Sequence, residues 1–251
     1  MSQHKFHNRK EKLQRRAKIK KLCLIALAVI LAGVLLYFGV LEIIKASREK
    51  PAQNPGQNAT VQQFVPPETE DTSWHADFPA THYAEIQVKD YGTIRLALCG
   101  DTAPKTVENF ASLAQSGFYD GLTFHRIMSG FMIQGGDPEG TGYGGSENYL
   151  EGEFSANGFE NPLLHRRGVI SMARSGYDNG EIKAENSARS QFFIMQDTNT
   201  GLDGQYAAFG YVLEGMSVVD AIVADTVAAG YTEMVPAAKQ PVITKITVTE
   251  A

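Results

Sequence analysis

From Leu22 to Leu41 the chain runs 20 residues without a charge (LCLIALAVILAGVLLYFGVL), and no other feature restricts its folding choices as strongly. That length matches the ~20 residues a helix needs to cross about 30 Å of hydrocarbon. In lipid the backbone must satisfy its own hydrogen bonds, so a single span has to be helical. The run therefore predicts a transmembrane helix over residues 22–44, with Tyr37 and Phe38 near one end, where aromatic rings favour the interface. Ahead of it lie Lys5, Arg9, Lys10, Lys12, Arg15, Arg16, Lys18, Lys20 and Lys21. The positive-inside rule then puts residues 1–21 in the cytoplasm as a basic tail. The C-terminal part falls outside the cytoplasm, giving a single-pass protein of the cell membrane. The apolar stretch exceeds a usual leader h-region and no A-x-A site follows, which favours a signal anchor over a cleaved leader.

Charge divides the chain in the same place. Residues 1–50 hold 12 of the 23 Lys and Arg but only three acids, Glu11, Glu42 and Glu49. Residues 51–251 keep 11 basic and 25 acidic groups, a net of −14. Such a domain repels phosphate backbones, so no nucleic-acid partner is expected there. The basic run beside the span reads as a topology or anionic-lipid signal rather than an RNA site. Only two cysteines occur, far apart. No disulfide framework is implied, and Cys99 reads as a small buried residue ending a strand.

Residues 45–80 contain Pro51, Pro55, Pro66, Pro67 and Pro79 among Gln, Asn, Thr and Glu, without helical or strand period. This predicts a flexible linker, with Trp74 and Phe78 packing onto the domain that follows. The folded part is expected over residues 81–251. YAEIQVK (83–89), a turn at Asp90-Tyr91-Gly92 and TIRLAL form a hairpin signal. Pro104 opens a helix, with Thr102 as a candidate cap and Gly117 at its end. Short β-like runs follow at 122–128, 131–134, 168–173, 191–196 and 207–213, then a helix at 215–224 and a closing strand, VITKITVT. The pattern is mainly β, one antiparallel sheet or barrel with two capping helices.

The common catalytic motifs are missing: no H-E-x-x-H, C-x-x-C, G-x-S-x-G or P-loop is present. Scattered histidines give no metal-ligand spacing, and Gly140, Gly142, Gly144 and Gly145 read as a surface loop because no strand-turn-helix context surrounds them. Four blocks combine apolar strands with polar interruptions: FHRIMSGFMIQGGD (124–137), GVISMARSG (168–176), SQFFIMQ (190–196) and GLDGQYAAFG (201–210).

Taken together and in this order, the blocks resemble the cyclophilins, over about residues 82–250. The resemblance implies an eight-stranded antiparallel β-barrel capped by two helices, and peptidyl-prolyl cis-trans isomerase activity on proline-containing polypeptides without metal or cofactor. It implies Arg126, Phe131 and Gln134 as catalytic residues. It implies Met132, Ala173, Arg174, Gln191, Phe193, Leu202 and Tyr206 as substrate-binding residues, with Arg174 acting through its backbone. This sequence has Gly201 where many members have Trp, which implies weak cyclosporin binding, and Tyr206 where a His is common. Residues 177–189 are longer than in compact members and read as a polar surface loop near the groove. The pattern looks like bacterial cyclophilins, with a monomeric ectodomain that assists the folding of exported proteins. The alternative from another class is a tethered proline-binding module without turnover. A wall-attached spacer would leave the four blocks unexplained.

Overall fold

The computed structural model describes residues 71–251. The basic tail, the predicted span over 22–44 and most of the linker lie outside the described residues. Among the described residues no helix is long and apolar enough to cross a membrane.

Eight strands form one antiparallel sheet: β1 His82–Val88, β2 Gly92–Leu98, β3 Thr123–Met128, β4 Met132–Asp137, β5 Val169–Met172, β6 Phe192–Met195, β7 Ala208–Glu214 and β8 Ile243–Glu250. Their order is β3-β4-β6-β5-β7-β2-β1-β8. The two outer members meet, because Phe124 N donates to Pro241 O and Ile243 N to Leu122 O, with a bridge between Thr123 and Val242. The sheet thereby closes into a barrel, which removes the exposed edges an open sheet would carry.

Helix α1 (Pro104–Gln115) and helix α2 (Met216–Ala228) complete the body. Val107, Phe110, Ala111 and Ala114 give α1 its buried stripe, as the helical spacing predicts. Thr102 does not cap it; Ala103 occupies the cap position without a side-chain bond. The Glu153 carboxylate supplies what a cap would, accepting from Lys105 N (3.0 Å), Thr106 N (2.9 Å) and Thr106 Oγ1 (2.7 Å). Sequence spacing finds only local caps, and this one comes from 47 residues away. Helix α2 continues one turn past its predicted end, burying Thr226, whose hydroxyl donates to Ile222 O (2.7 Å).

Alternation along the strands creates two apolar layers. Ile94, Leu96 and Leu98 of β2, with Phe192 and Ile194 of β6, fill the barrel with Phe110, Tyr119, Phe124 and Phe209. Their neighbours Ala97, Phe193 and Met195 face outward into a second cluster with Met132, Val169, Tyr211 and Trp74. Both faces of β5 and β6 are thus covered, so every residue in these strands is buried. Trp74 and Phe78 pack here as expected, carried by a 3-10 turn at Ser73–Asp77 that gives the end of the predicted linker defined structure. Trp74 meets Tyr211 edge to face at 5.3 Å, and the Tyr211 hydroxyl reaches the carbonyls of His75 and Phe78 at 3.1 Å each. Cys99 is buried in the same layer, and burial pushes its thiol up to about 12.

Candidate active site

The outward face of β3, β4 and β6 forms the floor of a cleft of about 120 Å³ lined by Arg126, Phe131, Met132, Gln134, Ala173, Arg174, Phe193, Leu202 and Tyr206. One water needs roughly 10–15 Å³, so the cleft has room for a small ring. Four separate stretches of sequence converge here because β4 pairs with both β3 and β6, β6 with β5, and β5 with β7, which follows Leu202 and Tyr206. Register sets the neighbours directly: Arg126 lies opposite Gln134, and Gln134 opposite Phe193.

The polar side is a hydrogen-bonded relay. Arg126 Nη1 donates to Gln134 Oε1 (3.3 Å), and Gln134 Nε2 donates to Gln191 Oε1 (2.9 Å). Gln191 Nε2 in turn donates to the carbonyls of Gly142 (3.0 Å) and Gly144 (2.8 Å). Gln191 is therefore nearly buried behind the cleft and does not line it; it fixes the orientation of Gln134. At its other end Arg126 donates through Nε to Glu233 Oε1 (2.9 Å) and lies with Nη2 3.0 Å from the Met128 sulfur. Glu233 sits between α2 and β8, where its carbonyl also accepts from Ile127 N (2.8 Å). Sequence reasoning missed Glu233, and no pattern around it could have shown that the loop returns to β3.

The glycine-rich loop is anchored by Asp137. Its carboxylate accepts from the backbone of Glu139 (2.9 Å), Thr141 (2.9 Å) and Gly142 (2.6 Å). Burial pushes the Asp137 carboxyl upward, but these N–H bonds together outweigh it and hold the group below its ordinary value. The amides that a phosphate would need are thus already engaged by the chain's own carboxylate, in agreement with the surface-loop reading.

The apolar side is a box of rings. Phe193 lies edge to face with Tyr206 (5.8 Å, 85°) and stacks on His165 (6.0 Å, 18°). His165 is buried, with Nδ1 3.1 Å from Asp203 Oδ1 and Nε2 3.0 Å from Ser171 Oγ. Burial lowers its pKa, against the opposing bond and charge of Asp203. A neutral ring here can be a donor to one neighbour and an acceptor from the other, which suits a carboxylate and a hydroxyl. Neither His165 nor Asp203 was singled out from sequence, since their pairing spans 38 residues.

The Arg174 side chain has contacts of its own, beside the backbone role that the resemblance implies. Its guanidinium stands over Tyr206 at 4.7 Å, and Nε donates to Gln205 O at 2.9 Å. The side chain forms a wall of the cleft. Gly201 lies at the neighbouring 3-10 turn, where an added Cβ would meet only Asn199 Oδ1, at 3.1 Å.

The cyclophilin type peptidyl-prolyl cis-trans isomerase family model matches residues 83–248. A peptidyl-prolyl cis-trans isomerase of Helicobacter pylori is 43% identical over 144 residues, covering 57% of this chain and 81% of the relative. Peptidyl-prolyl cis-trans isomerase B of Bacillus subtilis is 42% identical over 129 residues, covering 51% and 82%. The crystal structure of a Cryptosporidium parvum cyclophilin type isomerase, determined in the presence of the dipeptide Ala-Pro, superposes with a TM-score of 0.56 at 29% identity, covering 67% of this chain and 99% of that one. With its barrel, its four blocks and its family match in agreement, the chain belongs to the cyclophilin-type peptidyl-prolyl cis-trans isomerases.

Proposed function

We propose that this isomerase turns X-Pro bonds in the cleft between Arg126 and the Phe193 ring box, and that it does so outside the cytoplasm, tethered by residues 22–44, on exported polypeptides. The observation that carries the catalytic reading is the convergence of an always-charged guanidinium, held by two side chains, with a small apolar seat. The X-Pro amide rotates slowly because its C–N bond has partial double-bond character, with a barrier of about 18–20 kcal/mol. No bond breaks, so the protein need only favour the twisted amide over both planar forms. Twisting ends the resonance and returns a lone pair to the prolyl nitrogen. A guanidinium donor placed against that nitrogen stabilises the twisted state and not the planar ones. Phe131, Met132, Phe193 and Leu202 seat the pyrrolidine ring, while Gln134 and the backbone at Ala173 and Arg174 hold flanking carbonyls. Fixing both flanks confines the rotation to one bond. Gln191 acts through Gln134 and is a positioning residue. Gly201 leaves the rim open, which supports weak cyclosporin binding.

Arg126→Ala removes the charge aimed at the reacting nitrogen. Loss of one such preorganised donor typically costs 10²–10³ in rate, so kcat/KM on a short X-Pro peptide should fall by roughly that factor. NMR exchange between cis and trans forms, with the parent chain and the variant side by side, measures it. Retained activity in the variant would remove Arg126 from the mechanism. The tether has its own test. The 20-residue uncharged run behind nine basic residues supports it. The chain should resist carbonate extraction from membranes and expose residues 81–251 to protease added from outside. Release into the wash, or protection of that domain, would overturn the assigned topology.

A further inference from the structure

Beside the proline cleft lies a larger pocket of about 370 Å³ that shares Gln134, Ala173 and Arg174 with it. Its wall includes Arg174, Arg189, Tyr143, Tyr149 and Tyr177, and no aspartate or glutamate. This composition is unusual for a part of the chain whose net charge is −14. Arg95, Arg126 and Arg167 each sit against a carboxylate. Arg174 and Arg189 are held differently. Arg174 donates to the carbonyls of Gln205 and Ser175, both at 2.9 Å, and stands over Tyr206. Arg189 donates to the carbonyls of Ser146 (3.2 Å) and Tyr143 (3.1 Å) and lies 5.3 Å over the Tyr149 ring. Carbonyls and ring faces position a guanidinium but do not cancel its charge. Asp178, the acid nearest in sequence to the pocket's loop wall, is already bonded to Lys183 Nζ (2.8 Å) and Ala184 N (2.9 Å).

We propose that this pocket selects substrates carrying an aspartate or glutamate close to the proline, with Arg174 and Arg189 as the specificity-determining residues. The inference rests on the isomerase reading of the adjoining cleft. Because the two spaces share a wall, a chain with its proline in one reaches the other within about three residues, at roughly 3.3–3.6 Å per residue. An acidic side chain would gain from two half-buried positive charges already fixed in place, while a lysine there would be repelled.

The test uses the full 251-residue chain, purified in detergent, and matched peptides carrying Glu, Gln or Lys at each of three positions on either side of the proline. At one position kcat/KM should be roughly 1.5- to 5-fold higher for Glu than for Gln, with Lys below Gln, the range for exposed ion pairs. The Glu-to-Gln ratio should approach one at about 1 M salt, where the Debye length is about 3 Å. Arg174→Gln and Arg189→Gln should each lower the ratio, and Arg189→Lys should restore part of it. Equal rates for Glu, Gln and Lys at every position would overturn the proposal while leaving the isomerase intact. Failure to accelerate any peptide would instead overturn the isomerase reading and this one with it. Should a variant not fold, the ratio for the parent chain and its response to salt decide the matter alone.

Discussion

At the scale of single residues, Asp137 is a buried carboxylate joined to the cleft through its own loop. It gathers three backbone amides of the 139–142 loop. That loop presents the Gly142 carbonyl to Gln191, which orients Gln134, which meets Arg126. Asp137→Asn keeps the size but replaces one acceptor oxygen with a donor that faces backbone N–H groups. A buried donor left without an acceptor costs about 1–3 kcal/mol. Stability should fall by that order, and kcat/KM by roughly 3- to 10-fold through misplacement of Gln134. Paired measurement of urea midpoint and peptide turnover checks both. Loss of stability with unchanged turnover would show that the relay does not reach Arg126. The sequence already placed Asp137 inside the first block, beside Gln134. What it could not display is the direction of the amides, because a glycine-rich loop reads the same whether it points its N–H groups at solvent, at a phosphate or at its own carboxylate.

At the scale of elements, α1 depends on an acceptor far away in sequence. Pro104 at the start of the helix removes one donor that would otherwise be orphaned, and Glu153 satisfies two more. Its negative charge also lies at the positive end of the helix dipole. Glu153→Ala should cost about 2–3 kcal/mol, combining the lost cap with N–H groups left in a nearly dry site. For a folded body of this size that is a fall of roughly 5–10 °C in Tm. A shift under about 2 °C would mean that α1 does not need the carboxylate. Thr102→Ala, by contrast, should leave Tm nearly unchanged, because Thr102 makes no cap bond. The apolar pattern located both helices and all eight strands, some by a 3.6-residue or two-residue repeat and others, such as β5 and β6, only as short unbroken apolar runs. It failed where partners are distant. The cap from Glu153, the return of Glu233 to Arg126 and the His165–Asp203 pair all join points that only the closed barrel brings together.

At the scale of the whole molecule, two buried histidines make the fold sensitive to acid. His125 and His165 are each at most 1% exposed. Neither ring nitrogen of His125 reaches a partner at hydrogen-bond geometry among the described residues, and the Gln191 amide lies near enough to favour its charged form weakly. Burial is the leading cause that lowers both pKa values below the ordinary 6.5, against the opposing influence of Asp137 on one and Asp203 on the other. The sign follows directly. Well above pH 6.5, by about pH 7.5, both rings are largely neutral whether the chain is folded or not, and they add little pH dependence. Below about pH 7 the unfolded chain takes up protons that the folded chain resists, so stability falls as pH falls towards the lowered folded values. The slope is at most one proton for each histidine, about 1.4 kcal/mol per pH unit apiece. Asp137, also lowered, adds to the loss only further down, beneath the ordinary carboxylate value of 3.8. The urea midpoint should therefore be nearly level between about pH 7.5 and 8.5 and should decline below about pH 7, most steeply from pH 6.5 to 5, at constant m. His125→Phe should flatten part of that decline, because it removes one titrating ring while keeping an apolar-compatible shape behind Arg126. A midpoint that stayed level or rose on acidification would mean that these rings accept protons within the folded barrel, and the dry surroundings assigned to them would be wrong.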